Sequence, residues 1–162
     1  MHLKPIIAAN WKMNLGPTDA RAFLQRFLAQ APRQHDRTLV FFPSALTFAT
    51  VMEGVRERPD IWVGVQNVFS EAQGAYTGET SVLMARDAGA RVALVGHSER
   101  RHVFGETDAA TTKKCALVSL SRLVPMLCVG ETLAEREAGA TAAVVERQLA
   151  AGIAEQIGRA HV

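Results

Sequence analysis

The chain has 162 residues, 48% of them hydrophobic and 21% charged, with a net charge of +2. This fits one globular domain over residues 1–162, and it excludes a disordered tail or a fibre. Lys and Arg are interspersed with Asp and Glu, so no basic stripe suggests nucleic acid as a partner.

In chain order, short apolar runs alternate with longer amphipathic ones. A first strand over 5–9 runs into Asn10-Trp11-Lys12-Met13-Asn14. Gly16-Pro17-Thr18 then opens a helix on which Phe23, Leu24, Phe27 and Leu28 recur at helical spacing. A second strand over 39–42 stops at Pro43, and a helix over 45–58 carries Leu46, Ala49, Val51 and Met52. A third strand over 61–65 precedes a polar loop from Gln66 to Glu79, with Gly74 and Gly78 inside it, and a helix over 80–88. The fourth strand, 91–95, leads into Gly96-His97-Ser98-Glu99-Arg100-Arg101 and a short helical turn. The next helix, 107–120, sets Ala, Leu and Val on one side and Lys113-Lys114 on another. A fifth strand, 124–129, ends at Gly130-Glu131-Thr132. Thr132 and Glu135 form a capping box for a helix reaching about Ile157 with a break near Gly139. Five strand–helix repeats imply βα units and a parallel sheet, an α/β fold. A sixth strand falls due near His161-Val162.

Cys115 and Cys128 make neither a metal-type spacing nor a disulfide framework, which points to a reducing compartment and no metal. The start of the chain lacks a basic n-region and a long apolar h-region, and no apolar run approaches bilayer length. The expectation is a cytoplasmic protein without a membrane partner.

Chemistry-bearing residues fall at the carboxyl ends of the expected strands, where ligands bind in parallel α/β proteins. Lys12, beside Asn10, reads either as a cation stabilising charge on a substrate oxygen or as a solvated loop lysine. His97 follows a buried strand and precedes a helical start, which disfavours imidazolium. It reads as a neutral donor to a substrate oxygen or as a histidine satisfied at a strand end. Glu99 is either an acceptor positioning Lys12 or part of a mixed-charge turn. Glu131 reads as a charge favoured at a helix N-terminus, with a supporting role in the site as the alternative. Cys128 reads as a packed core thiol. The loop from Gln66 to Glu79, with Asn67, Tyr76 and Thr77, is long enough to invite a ligand or a partner subunit, an ordinary solvent loop being the alternative.

Together, Ala9-Asn10-Trp11-Lys12-Met13-Asn14, Gln66-Asn67-Val68, Gly74-Ala75-Tyr76-Thr77-Gly78-Glu79, Gly96-His97-Ser98-Glu99-Arg100-Arg101 and Cys128-Val129-Gly130-Glu131-Thr132 resemble the triosephosphate isomerase family in order and spacing. The resemblance implies a (β/α)8 TIM barrel that interconverts dihydroxyacetone phosphate and D-glyceraldehyde 3-phosphate, a step of glycolysis and gluconeogenesis, without a cofactor. It makes His97 the electrophile, Lys12 catalytic and substrate-binding, and Asn10 and Ser98 substrate-binding. Glu99, Glu131 and Cys128 support the site, while Thr77, Tyr76 and Gln66 lie in a homodimer interface. In that family the matching histidine has a lowered pKa at a helix start, so the reading of His97 as neutral and the resemblance are not independent of each other. Barrels of this kind run to roughly 250 residues, and the family's base is a glutamate after the sixth strand. The 162 residues therefore read as about five βα units with an unclosed parallel sheet, truncated before the base, the lid and the phosphate-gripping loops. Such a chain is expected to be inactive alone. The alternative is a catalytically dead barrel fragment acting as an interaction or complementing module.

Overall fold

A computed structural model describes residues 4–155. In chain order they form β1 (Ile6–Asn10), α1 (Pro17–Gln30), β2 (Thr38–Phe42), α2 (Ala45–Gly54), β3 (Ile61–Val65), α3 (Val82–Asp87) and β4 (Val92–Val95). There follow α4 (Ser98–His102), α5 (Asp108–Leu120), β5 (Val124–Leu127), α6 (Leu133–Glu137) and α7 (Thr141–Ile153). The strands neighbour one another in the order β1-β2-β3-β4-β5. Asn10 lies opposite Phe42 in the parallel β1–β2 pair, and Leu39 opposite Ile61 in the parallel β2–β3 pair. This consecutive order is that of barrel-type βα units; a doubly wound sheet reverses direction at a switch point. β1 and β5 end the sheet, and Ile6, Ile7 and Val124 are exposed on them.

The described residues divide into two compact units, 4–66 with 84–92, and 67–83 with 93–155. In the first, Val40, Phe42 and Val51 are fully buried. Trp11 meets Phe23 edge-on with ring centroids 5.3 Å apart, and Phe41 packs against Trp11, Phe23 and Phe27. Gly64 permits the tight packing of β3, because a Cβ there would stand 2.3 Å from a ring carbon of Phe42.

The helix expected over 45–58 ends at Gly54. Gly54 lies against Leu24, and the chain then turns so that Arg58 donates to Asp60 (2.9 Å) and to the carbonyl of Ala31 (2.9 Å). The buried face of α2 is Thr47, Phe48 and Val51, and Leu46 is exposed. The helix expected over 80–88 is shorter because the Thr80 carbonyl accepts from Phe69 N–H and Gly89, at φ +95°, terminates the chain's helical run.

In the second unit, Ala93, Val95, Cys115 and Val118 are buried. Lys114, expected with Lys113 on a polar side of its helix, is buried instead. It occupies the inward stripe with Thr111, Cys115 and Val118, and its ammonium is met by Glu106 and by Asn67 Oδ1 at 2.8 Å. The fifth strand ends at Leu127, leaving Cys128 and Val129 beyond it, although Cys128 N–H still donates to the Val95 carbonyl. The Thr132–Glu135 capping box is formed, and Gly139 at φ +71° separates α6 from α7. α7 ends at Ile153, with Ala154 as its C-cap, short of the end expected near Ile157, and the expected start of a sixth strand near His161-Val162 lies outside the described residues.

Candidate active site

In the first unit the site begins where β1 ends. Lys12 sits at φ +54° and Leu15 at φ +58°, a left-handed backbone that costs a non-glycine residue about 1–2 kcal/mol. Side chains both near and distant in sequence hold it. Lys12 N–H donates to Asn10 Oδ1 at 2.9 Å, Thr47 Oγ1 donates to the Leu15 carbonyl at 2.8 Å, and Asn14 Nδ2 donates to the Trp11 carbonyl at 3.0 Å. Gln66, the residue after β3, donates from Nε2 to the Lys12 carbonyl at 2.7 Å and to the Phe42 carbonyl at 2.9 Å. Phe42 O also accepts from Trp11 N–H at 3.0 Å. The Lys12 side chain is exposed, so a fixed backbone carries a cation that reaches solvent.

In the second unit Gly96 turns the chain at the end of β4 with φ +71°. His97 is the N-cap of α4, its Nδ1 accepting from Glu99 N–H at 3.3 Å. An accepting Nδ1 carries no proton, so this bond assigns the ring proton to Nε2. The Glu99 carboxylate lies 3.5 Å from Nδ1. Ser98, the first residue of α4, is exposed. Arg101, absent from the expected site and with its side chain 7% exposed, joins two strand ends. Its guanidinium donates to Gly96 O at 2.7 Å, to Asp108 at 2.8 Å and to Cys128 O at 3.3 Å. Burial pushes the Cys128 thiol above its ordinary pKa, so it stays a thiol rather than a nucleophilic thiolate.

Glu131 is held below the ordinary carboxylate range by its own backbone N–H and by Arg136, whose Nε donates to it at 2.7 Å. The preceding Gly130 is gripped at both ends of its peptide by the buried Gln148, which accepts from its N–H at 2.8 Å and donates to its carbonyl at 3.1 Å. The loop after Gln66 closes on itself. The Phe69 and Tyr76 rings lie 4.4 Å apart, Ser81 Oγ donates to Ala72 O at 2.6 Å, and Tyr76 and Thr77 face outward.

The structure thus brings Asn10, Lys12 and Gln66 together in one unit, and His97, Ser98 and Glu99 together in the other. Gln66, expected at an interface, has both amide hydrogens placed on backbone carbonyls. Asp60 and Lys114 are buried charged residues that the sequence pattern does not single out. The position of Lys114 in an otherwise inward stripe was the available signal. Among the described residues, no three His, Cys, Asp and Glu side chains gather where they could hold a metal ion.

Residues 5–161 match the triosephosphate isomerase family. The triosephosphate isomerase of Bdellovibrio bacteriovorus is 44% identical over 153 residues, 94% of this chain and 63% of that protein. That of Moorella thermoacetica is 45% identical over 150 residues, 93% of this chain and 59% of that protein. That of Acidithiobacillus ferrooxidans is 44% identical over 146 residues, 90% of this chain and 56% of that protein. The chain spans about three-fifths of the length of the curated relatives it matches. With the consecutive parallel strands and the strand-end residues described above, this match establishes that the chain belongs to the triosephosphate isomerase family.

Proposed function

We propose that the whole protein interconverts dihydroxyacetone phosphate and D-glyceraldehyde 3-phosphate by cofactor-free proton transfer, acting in glycolysis and gluconeogenesis in the cytoplasm. The observation that carries this reading is the His97 hydrogen bond, which leaves Nε2–H as the donor for a substrate carbonyl oxygen. As a carbon-bound proton is taken from the carbon next to that carbonyl, charge develops on the oxygen; Nε2–H stabilises it and can transfer its proton. Lys12 supplies a fixed cation for the anionic substrate, and Asn10 and Ser98 complete its binding. Glu99, Glu131 and Cys128 support these groups. The protein works as a homodimer whose interface includes Gln66 and the outward loop residues Tyr76 and Thr77, and the chain forms part of one (β/α)8 barrel domain.

The carbon proton also requires a carboxylate in contact with the C–H bond. Glu131 is engaged by Arg136, and Glu99 lies against His97, so neither is assigned that role. The 162 residues alone are therefore expected to turn over little. Isomerisation of glyceraldehyde 3-phosphate by the purified chain at an ordinary enzyme rate would overturn that statement. In the whole protein, His97→Gln should lower kcat about 100-fold or more with little change in KM. Unchanged turnover would remove His97 from the mechanism.

A second reading is a catalytically silent barrel fragment that acts as an interaction or complementing module. Ile6 and Ile7 favour it, because both faces of β1 are half exposed at an end of the sheet. A soluble, protease-resistant and inactive chain would support it, and aggregation would count against it.

A further inference from the structure

We propose that Gln66 is a positioning residue that holds Lys12 in its left-handed backbone conformation. This rests on the isomerase reading only in so far as Lys12 acts on substrate. Lys12 has no glycine's freedom, so φ +54° persists only because its neighbours define it. Its N–H is taken by Asn10, two positions back at the end of β1. Its carbonyl is taken by Gln66, which is 54 positions away and therefore constrains the loop from another strand. The second Nε2 hydrogen of Gln66 goes to the Phe42 carbonyl, which also receives Trp11 N–H.

One primary amide thus ties the end of β1 to the end of β2, and only a group with two N–H bonds at this reach can do so. A glutamate would be similar in size but, ionised, would offer no hydrogen to either carbonyl. A methionine would fill the space without donating. Either change frees the Lys12 carbonyl and lets the backbone relax, which moves the point from which the ammonium reaches the substrate.

The test is a double-mutant cycle in the whole protein with Gln66→Met and Lys12→Met, repeated with Gln66→Glu in case the methionine variant fails to fold. If Gln66 acts through Lys12, either Gln66 change should lower kcat/KM about 10- to 100-fold, with no further loss when Lys12 is already methionine. Equal losses in both backgrounds would overturn the proposal. A structure of the Gln66 variant gives a readout independent of turnover. Departure of Lys12 from positive φ supports the proposal, and retention near +54° overturns it. A whole protein without isomerase activity would instead overturn the isomerase reading, leaving the Lys12 backbone angle to decide the role of Gln66.

Discussion

The backbone N–H of Glu99 donates to Nδ1 of His97 at 3.3 Å, so the imidazole is at once the cap of α4 and a ring with one nitrogen committed. The neutral ring should therefore carry its proton on Nε2. Nitrogen NMR of the imidazole checks this, and a proton found on Nδ1 would show that the cap is not formed.

Gly96 should resist substitution. At φ +71° an alanine is strained, and its Cβ would stand 2.6 Å from the Arg101 guanidinium and 3.1 Å from the Cys128 carbonyl. Gly96→Ala is expected to cost about 2–3 kcal/mol in urea unfolding. Gly130→Ala, where nothing lies within 4 Å, should stay within about 0.5 kcal/mol.

Asp60 gives a pH signature. Arg58 beside it holds its carboxyl far below the usual range, with Gln34 N–H adding a further bond at 2.9 Å. A carboxylate depressed in the folded state contributes stability above its unfolded pKa of about 3.9 and loses it as pH falls towards the folded value. Asp60→Asn should therefore cost about 2 kcal/mol near neutral pH. That deficit should shrink as pH is lowered below about 4, checked by denaturant unfolding at several pH values.

Lys114→Met should be among the most damaging single changes in its unit, because it strands the Glu106 carboxylate, whose side chain is 3% exposed. Removing one partner of a buried pair typically costs about 3–5 kcal/mol. Adding Glu106→Gln should recover part of that loss, and an unfolding series over the two single variants and the double variant measures it.

What could be read in advance depended on whether the signal was local. The strand Ile61–Val65 and the Thr132–Glu135 capping box match their expected positions because an apolar run and a three-residue spacing carry their own information. α2 ends at Gly54, after which the chain turns to set Arg58 on the Ala31 carbonyl, and Lys114 turns inward because Asn67 and Glu106 are there to meet it. Those partners are distant in sequence, so periodicity alone placed the helix end too late and the lysine on the wrong side. In the site, His97 stood out from its neighbours. The bonds from Gln66 to Lys12 and Phe42 end on carbonyls, which no residue identity advertises.

If Lys12 acts on substrate as proposed, its left-handed backbone sets thermal robustness against chemistry at one position. Glycine would adopt φ +54° without steric penalty, and asparagine with little. Variants selected only for heat resistance should therefore discard the cation at position 12 early, while leaving fully buried Val40 and Phe42 untouched.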